Sequence, residues 1–294
     1  MNKEYSDYLK FIDSALELAK KIPRYFSKFS NKIYCNHQKF AIYVLMQKFK
    51  TTTRGIVSIL RASSDMRLYL GLNRVPVHST IVRFVKKINR TLHTILEVRQ
   101  AINVAVDSTG FELEQKSYYY RTIWNSDRRQ KAKKFMKISI IVDLDKQLIL
   151  RYKVRKKLRN DHIDFKYLLN DLCTKCVIAD KGYDSKANRN FVIRNLKAIP
   201  IIPIRNHTNF YGYLKTNRKI NGKNYHQRSK IETVFSVIKR KYGSVLRTKS
   251  FASQKVELIS KLIAYNLDRK LNYILLLIRG LHQSPISKHL NICE

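Results

Sequence analysis

The chain has 294 residues, room for a catalytic domain with one smaller module attached. Its 59 Lys and Arg stand against 21 Asp and Glu, a net charge of +38 that would repel itself strongly unless the working state includes a polyanion, so nucleic acid is the expected partner. The thirds 1–100, 101–200 and 201–294 carry 19, 22 and 18 basic residues against 6, 11 and 4 acidic ones, and 44% of the chain is hydrophobic, which excludes a disordered basic tail.

The first 21 residues mix acids with apolar residues and lack an apolar h-region, so they read as an amphipathic helix and not as a signal peptide. The apolar stretch 273–278 is far too short to cross a membrane. A soluble, cytoplasmic, nucleoid-associated protein with no membrane partner is expected.

Apolar residues recur at helical spacing over 3–22, 36–50, 52–62 and 79–97, and no strand pattern occurs before residue 101. Residues 1–100 are therefore expected to form an all-α N-terminal DNA-binding domain. After Pro76, His78, Ser79 and Thr80 offer a helix N-cap; Ile81, Val85, Ile88 and Leu92 then share one side, and Arg83, Lys87 and Arg90 another. With the helix at 52–62 this fits a helix-turn-helix whose second helix enters the major groove. A basic, solvated face on a helical bundle explains the same pattern equally well.

From residue 101 the pattern changes. Residues 102–106 read as a buried strand ending in Asp107, before the Gly-containing turn Ser108-Thr109-Gly110; 135–142 and 148–154 read as a hairpin. A helix at 162–172, a strand at 176–179 ending in Asp180, a helix at 187–196 and a strand at 198–204 follow. Helices at 225–242 and 253–278 complete the chain. This order, a three-stranded meander followed by α/β units, is that of a ribonuclease-H-like α/β domain over 101–294, with a mixed five-stranded sheet flanked by helices and a C-terminal helix. Element order alone fixes no function.

The carboxylates carry the chemistry. If the strands before Asp107 and Asp180 are parallel neighbours, both acids emerge at one sheet end, where α/β sheets bind ligands; taken singly, each also reads as a helix or turn cap. Glu232 is the only carboxylate between Asp184 and Glu257, while 201–250 holds twelve Lys and Arg. On a continuous helix Tyr225, Arg228, Glu232 and Lys239 fall on one stripe, beside an apolar stripe of Ile231, Val234, Phe235 and Ile238. A lone acid among cations on a docked helix suits a third metal ligand beside phosphate-binding groups, and two divalent ions held by carboxylates are well suited to phosphodiester cleavage.

The spacing Tyr225-x2-Arg228-x3-Glu232-x6-Lys239, with VAVDSTG at 104–110 and IADKGYDS at 178–185, resembles the signature of DDE transposases in the insertion-sequence 4 and 5 groups, and the similarity to the insertion-sequence 5 group extends over roughly residues 35–270. The resemblance implies an enzyme that binds the terminal inverted repeats of its element in double-stranded DNA, cuts them with water and joins the freed 3′-hydroxyl to target DNA. Asp107, Asp180 and Glu232 would be catalytic and hold two divalent ions, Mg²⁺ or its substitute Mn²⁺. Arg228 and Lys239 would contact phosphate and Tyr225 the region of the cut, and two ends to be paired imply a homodimer on DNA. Two alternatives remain: a transposase-derived DNA-binding protein without catalysis, and a ribonuclease-H-like nuclease.

Lesser features read as structural. Asp161 suits an N-cap, and Asp143 and Asp145 suit the hairpin turn. The basic runs 128–137 and 151–159 suit unspecific backbone contacts. Trp124, with Tyr118, Tyr119 and Tyr120, reads first as core and second as a stacking platform for a flipped base. Cys173 and Cys176 form a lone CxxC without a second ligand pair and read as ordinary core thiols.

Overall fold

In the computed structural model the described residues are 3–89, 91–96, 98–114, 135–155, 160, 162–204 and 223–282. Arg90, Tyr118 to Tyr120, Trp124, Asp161 and most of the two basic runs lie outside them.

The N-terminal layer is helical: α1 (Lys3–Ala19), α2 (Asn36–Lys48), α3 (Thr53–Ala62), α4 (Ser64–Tyr69) and α5 (His78–Ile88), followed by a 3₁₀ turn (Leu92–Leu96). Three helix starts are set by side chains. Cys35 and Gln38 form a reciprocal capping box on α2, Thr52 accepts from Gly55 N on α3, and Ser63 accepts from Met66 N on α4. The helix α5 departs from its expected cap, since its N-cap is Val77 with no side-chain bond. Its buried side holds Ile81, Phe84, Val85 and Ile88, and Arg83 and Lys87 are exposed on the other.

The sheet begins with β1 (Asn103–Leu113), β2 (Phe135–Asp143) and β3 (Leu148–Arg155), an antiparallel meander. In the hairpin turn the Asp143 carboxylate accepts from Asp145 N and Lys146 N, the backbone role expected of it. After α6 (His162–Leu169), β4 (Cys176–Ala179) pairs parallel with β1; α7 (Lys186–Asn190) and a π turn (Phe191–Asn195) lead to β5 (Ile199–Ile201), parallel with β4. The five expected strands lie in the order β3-β2-β1-β4-β5. A sixth, β6 (Val245–Leu246), was not expected; it follows α8 (Lys223–His226) and α9 (Ser229–Tyr242) and pairs parallel with the far end of β1. The last element is α10 (Phe251–His282).

Strand β1 corrects the sequence reading. Ser108, Thr109 and Gly110 form no turn but continue the strand to Leu113, paired with β2 throughout. Gly110 has a packing reason: a Cβ there would stand 2.8 Å from Phe135 Cδ2 on the neighbouring strand.

Two apolar clusters sandwich the sheet. One joins α1 to α5, α9 and α10 with Ala105, Phe111, Ile138, Ile140 and Ile178 of the sheet. The other joins α6 and the α7 region with Val104, Val106, Val177 and Ala179. The helical layer and the α9–α10 face therefore share one continuous core. Among the described residues no helix is long and apolar enough to cross a membrane.

Candidate active site

Strands β1 and β4 are in parallel register with Val106 opposite Ala179, so Asp107 and Asp180 are the next residues on each. There β4 stops while β1 runs on, and the sheet edge steps back at the two acids. Side chains alternate along a strand. Ala105 and Ile178 belong to the cluster under α9 and α10, whereas Val106 and Ala179 belong to the other, so Asp107 and Asp180 both point to the α9 side. Each carboxylate is steadied by the next backbone N–H: Ser108 N to Asp107 Oδ1 at 2.8 Å and Lys181 N to Asp180 Oδ1 at 2.8 Å. Asp180 thus also caps the short 3₁₀ turn Lys181–Tyr183.

Helix α9 buries Ile231, Val234, Phe235, Ile238 and Tyr242, which fixes its rotation and leaves Glu232 exposed beside the sheet edge. The expected continuous helix over 225–242 is broken: α8 ends at His226 and α9 begins at Ser229. The break is a tight turn in which Arg228 N donates to Tyr225 O at 3.0 Å. Tyr225 and Arg228 owe their positions to that turn, and the single polar stripe inferred for all four residues is corrected accordingly.

Arg228 links the acids. Its guanidinium ion-pairs with Glu232 and approaches Asp180 Oδ1 at 3.6 Å. Burial alone would lower its pKa, yet the charges of Asp107, Asp180 and Glu232 outweigh burial and hold it above the ordinary arginine value. Tyr225 sits in the same field: burial raises its pKa, Arg228 opposes, and Asp180, Glu232 and Asp107 add to the rise. Arg228 is therefore paired with carboxylates from two distant segments and feels the charge of a third. Among the described residues no three Asp, Glu, His or Cys side chains stand close enough to share a metal ion, and it is the guanidinium that neutralises the acids.

Lys239 stands further along β1. Its Nζ donates to Thr109 Oγ1 at 2.7 Å and lies 5.5 Å from the Phe111 ring centroid. Burial lowers its pKa, with Glu112 opposing. Thr109 is on the same face of β1 as Asp107, so α9 runs along the strand with Glu232 near the acids and Lys239 beyond them.

Arg83 and Lys87 lie in the helical layer, where with Lys39 and Phe29 they line a groove of about 460 Å³. Lys39 was missed in the sequence, although the signal was there: between Glu17 and Asp65 ten Lys and Arg occur with no acid. Of the CxxC pair, Cys176 is buried and its thiol is pushed up to about 11 by burial, while Cys173 is exposed, contrary to the reading of both as core.

The transposase DDE domain family matches residues 100–267, more than half of the chain. Among solved structures the chain is similar to the piggyBac transposase in its synaptic complex with hairpin DNA, with a TM-score of 0.50 and 10% identity over 89% of this chain and 71% of that one. At that identity the likeness is one of fold. No curated protein matches the chain.

Proposed function

From the premise that this chain belongs to the transposase DDE domain family, we propose that it cuts the terminal inverted repeats of an insertion sequence and joins their 3′-hydroxyls to target DNA, with Asp107, Asp180 and Glu232 as the catalytic carboxylates. One observation carries the reading: a guanidinium paired with Asp180 and Glu232 and raised in pKa by Asp107 as well.

The donor set fits divalent metal ions of the kind this family uses. Asp180 and Glu232, half open to solvent, share the Arg228 cation, and Asp107 follows the strand paired with that of Asp180, so hard carboxylate oxygens of the kind such ions prefer lie about a place where positive charge already rests. Asp107 and Asp180 would hold a pair of Mg²⁺ or Mn²⁺ ions and Glu232 would complete one site; when bound, such ions activate the attacking oxygen and neutralise the leaving one. The protein supplies the rest. The parallel pairing of β1 with β4 fixes the spacing of the two aspartates, and docking of α9 sets Glu232 against the same Arg228 that pairs with Asp180. Arg228, released from the acids, grips a phosphate beside the cut with its bidentate fork, and Lys239 gives a point-charge contact further along the strand. Tyr225 packs beside the cut.

In this reading residues 1–100 form the DNA-binding domain, with Arg83, Lys87 and Arg90 on the backbone, and residues 101–294 the catalytic one. The signature spacing supports the insertion-sequence 5 group, nucleoid DNA as the setting, and a homodimer in which each copy holds one element end.

The test is incubation of the full chain with element-end DNA and Mg²⁺, comparing wild type with Asp107→Ala, Asp180→Ala and Glu232→Ala. Each variant is expected to lose at least about a hundredfold in cutting rate, a barrier increase of a few kcal/mol, and to keep its DNA affinity. Unaltered cutting by Glu232→Ala would remove that residue from the mechanism.

A further inference from the structure

Residues 23–35, between α1 and α2, form a loop whose two ends are tied together. Asn36, 1% exposed, donates its backbone N to Arg24 O at 2.8 Å and its Nδ2 to Pro23 O at 3.0 Å. Phe26 stacks on Phe84 of α5 with ring centroids 6.0 Å apart, which holds the loop beside that helix. The tip is ordered by its own hydroxyls: Ser27 N donates to Ser30 Oγ and Phe29 N to Ser27 Oγ, both at 3.2 Å, and Ser30 N donates to Ser27 O at 3.0 Å. This bonded turn nevertheless presents Phe29 to water. The ring is 86% exposed, the highest value for a large apolar side chain among the described residues, and Ile33 follows at 62%.

Leaving a Phe ring in water forfeits about 1.5–3 kcal/mol of burial, and turns ordinarily carry small polar residues at their tips. The surroundings indicate what covers the ring. Arg24, Lys28 and Lys32 are exposed on the same loop. The groove of about 460 Å³ between loop and α5 is lined by Phe29 together with Lys39, Arg83 and Lys87, and by no Asp or Glu. A second copy of this chain would bring its own +38 against these cations, and a neutral apolar partner would leave them uncompensated. The complementary partner is a polyanion with flat apolar faces between its charges. DNA has both, and Phe is among the side chains that enter between base steps. An anionic bilayer also offers charge and apolar depth, but the cations line a groove, which a strand enters and a flat surface does not.

We infer that the turn 27–30 is a DNA-contact element in its own right: one backbone strand of duplex DNA lies in the groove on Lys39, Arg83 and Lys87, and the Phe29 ring presses between adjacent bases. The inference rests on the DNA binding of the transposase reading and adds a contact with the bases, which phosphate contacts made by α5 do not supply. Ring and cations contribute differently. Each cation that neutralises a phosphate releases a counterion and steepens the salt dependence, whereas the ring releases none.

The test is fluorescence anisotropy of the full chain across a salt series with three labelled probes: a mixed-sequence duplex, one of its single strands, and heparin, a polyanion without bases. Sedimentation with phosphatidylserine vesicles is run beside it. Phe29→Ala is expected to weaken duplex binding about tenfold or more at every salt concentration, and to leave the salt slope, heparin binding and the thermal midpoint unchanged. Phe29→Tyr, which keeps a ring, should bind the duplex as wild type does. Duplex binding untouched by Phe29→Ala, equal weakening on heparin, or a loss confined to the single strand or to vesicles overturns the inference. So does a lowered midpoint, which would make the ring a packing group. Mg²⁺-dependent cutting of element-end DNA by wild type is scored separately. Cutting beside an unaffected Phe29→Ala sinks this inference and spares the transposase reading, while ring-dependent duplex binding by a chain that cuts nothing does the reverse.

Discussion

Arg228 pairs with Asp180 and Glu232 and so offsets the repulsion between acids that would otherwise oppose one another. Exposure of the Asp180 and Glu232 side chains is 42% and 55%, so water screens these pairs and they add little to stability; the arrangement is better understood as charge waiting to be exchanged. A divalent ion entering the site must compete with the guanidinium. Arg228→Met is therefore expected to tighten Mn²⁺ binding by the DNA-free protein several-fold, read by electron paramagnetic resonance titration, and at the same time to slow cutting. Unchanged or weaker Mn²⁺ binding would mean that Arg228 is no competitor. Much of this site was legible in the sequence, because Glu232 is alone among cations over a long stretch and both aspartates directly follow apolar strand residues. The Arg228–acid pairing was not legible. It depends on the chain turning between α8 and α9, and helical periodicity carries no signal for a two-residue break.

At the scale of elements, the α2, α9 and α10 helices meet at Asp268. Its carboxylate pairs with Lys48 of α2 and Lys241 of α9 and accepts from Tyr242 Oη at 2.5 Å, with a side chain only 7% exposed. Burial raises its pKa, but Lys48, Lys241 and Tyr242 together overcome that and hold it below the ordinary carboxylate value. A group whose folded pKa is depressed contributes stability above its unfolded value, and that contribution is lost as pH falls through the folded one. Resistance of the wild type to urea is accordingly expected to weaken as pH drops below about 4. Asp268→Asn should cost roughly 3 kcal/mol at pH 7, because it strands the half-buried Lys48, and should show a flatter acid limb; an equal acid limb in both proteins would assign the loss to other carboxylates. Such tertiary ties were invisible in the sequence, and so were the elements they support. The helices α1, α2, α3 and α10 and strands β2 to β4 were read nearly in place because their apolar periods are long and regular, whereas the helix expected over 79–97 ends at Ile88 and a 3₁₀ turn at Leu92–Leu96 follows. By contrast α4 and β6 are too short to carry a period, and β1 was cut short because its Gly110, small to admit the Phe135 ring, imitates a turn.

For the whole molecule the decisive quantity is the net charge of +38, which makes association with DNA an exchange of condensed counterions for protein cations. Affinity for any duplex should fall steeply and linearly in logarithm as salt rises, by about 0.9 per phosphate neutralised. The groove beside α5 is lined by Lys39, Arg83 and Lys87 together, and burial first, then the charge of Lys87, lowers the Lys39 pKa against the opposing Cys35. Like charges pressed together would be relieved if DNA phosphate lay between them, as the proposed DNA-binding role of α5 requires. Replacing Arg83 and Lys87 by Ala is therefore expected to reduce the salt slope by about two and to weaken binding alike on specific and unrelated duplexes, measured by fluorescence anisotropy across a salt series. Both side chains are exposed and lie away from the apolar side of α5, so the thermal midpoint should hold or rise as repulsion is removed. An unchanged slope would leave α5 as a solvated helix face and move the DNA to the basic surface around Arg228 and Lys239, where the same experiment on Lys239→Ala would then register the missing contact.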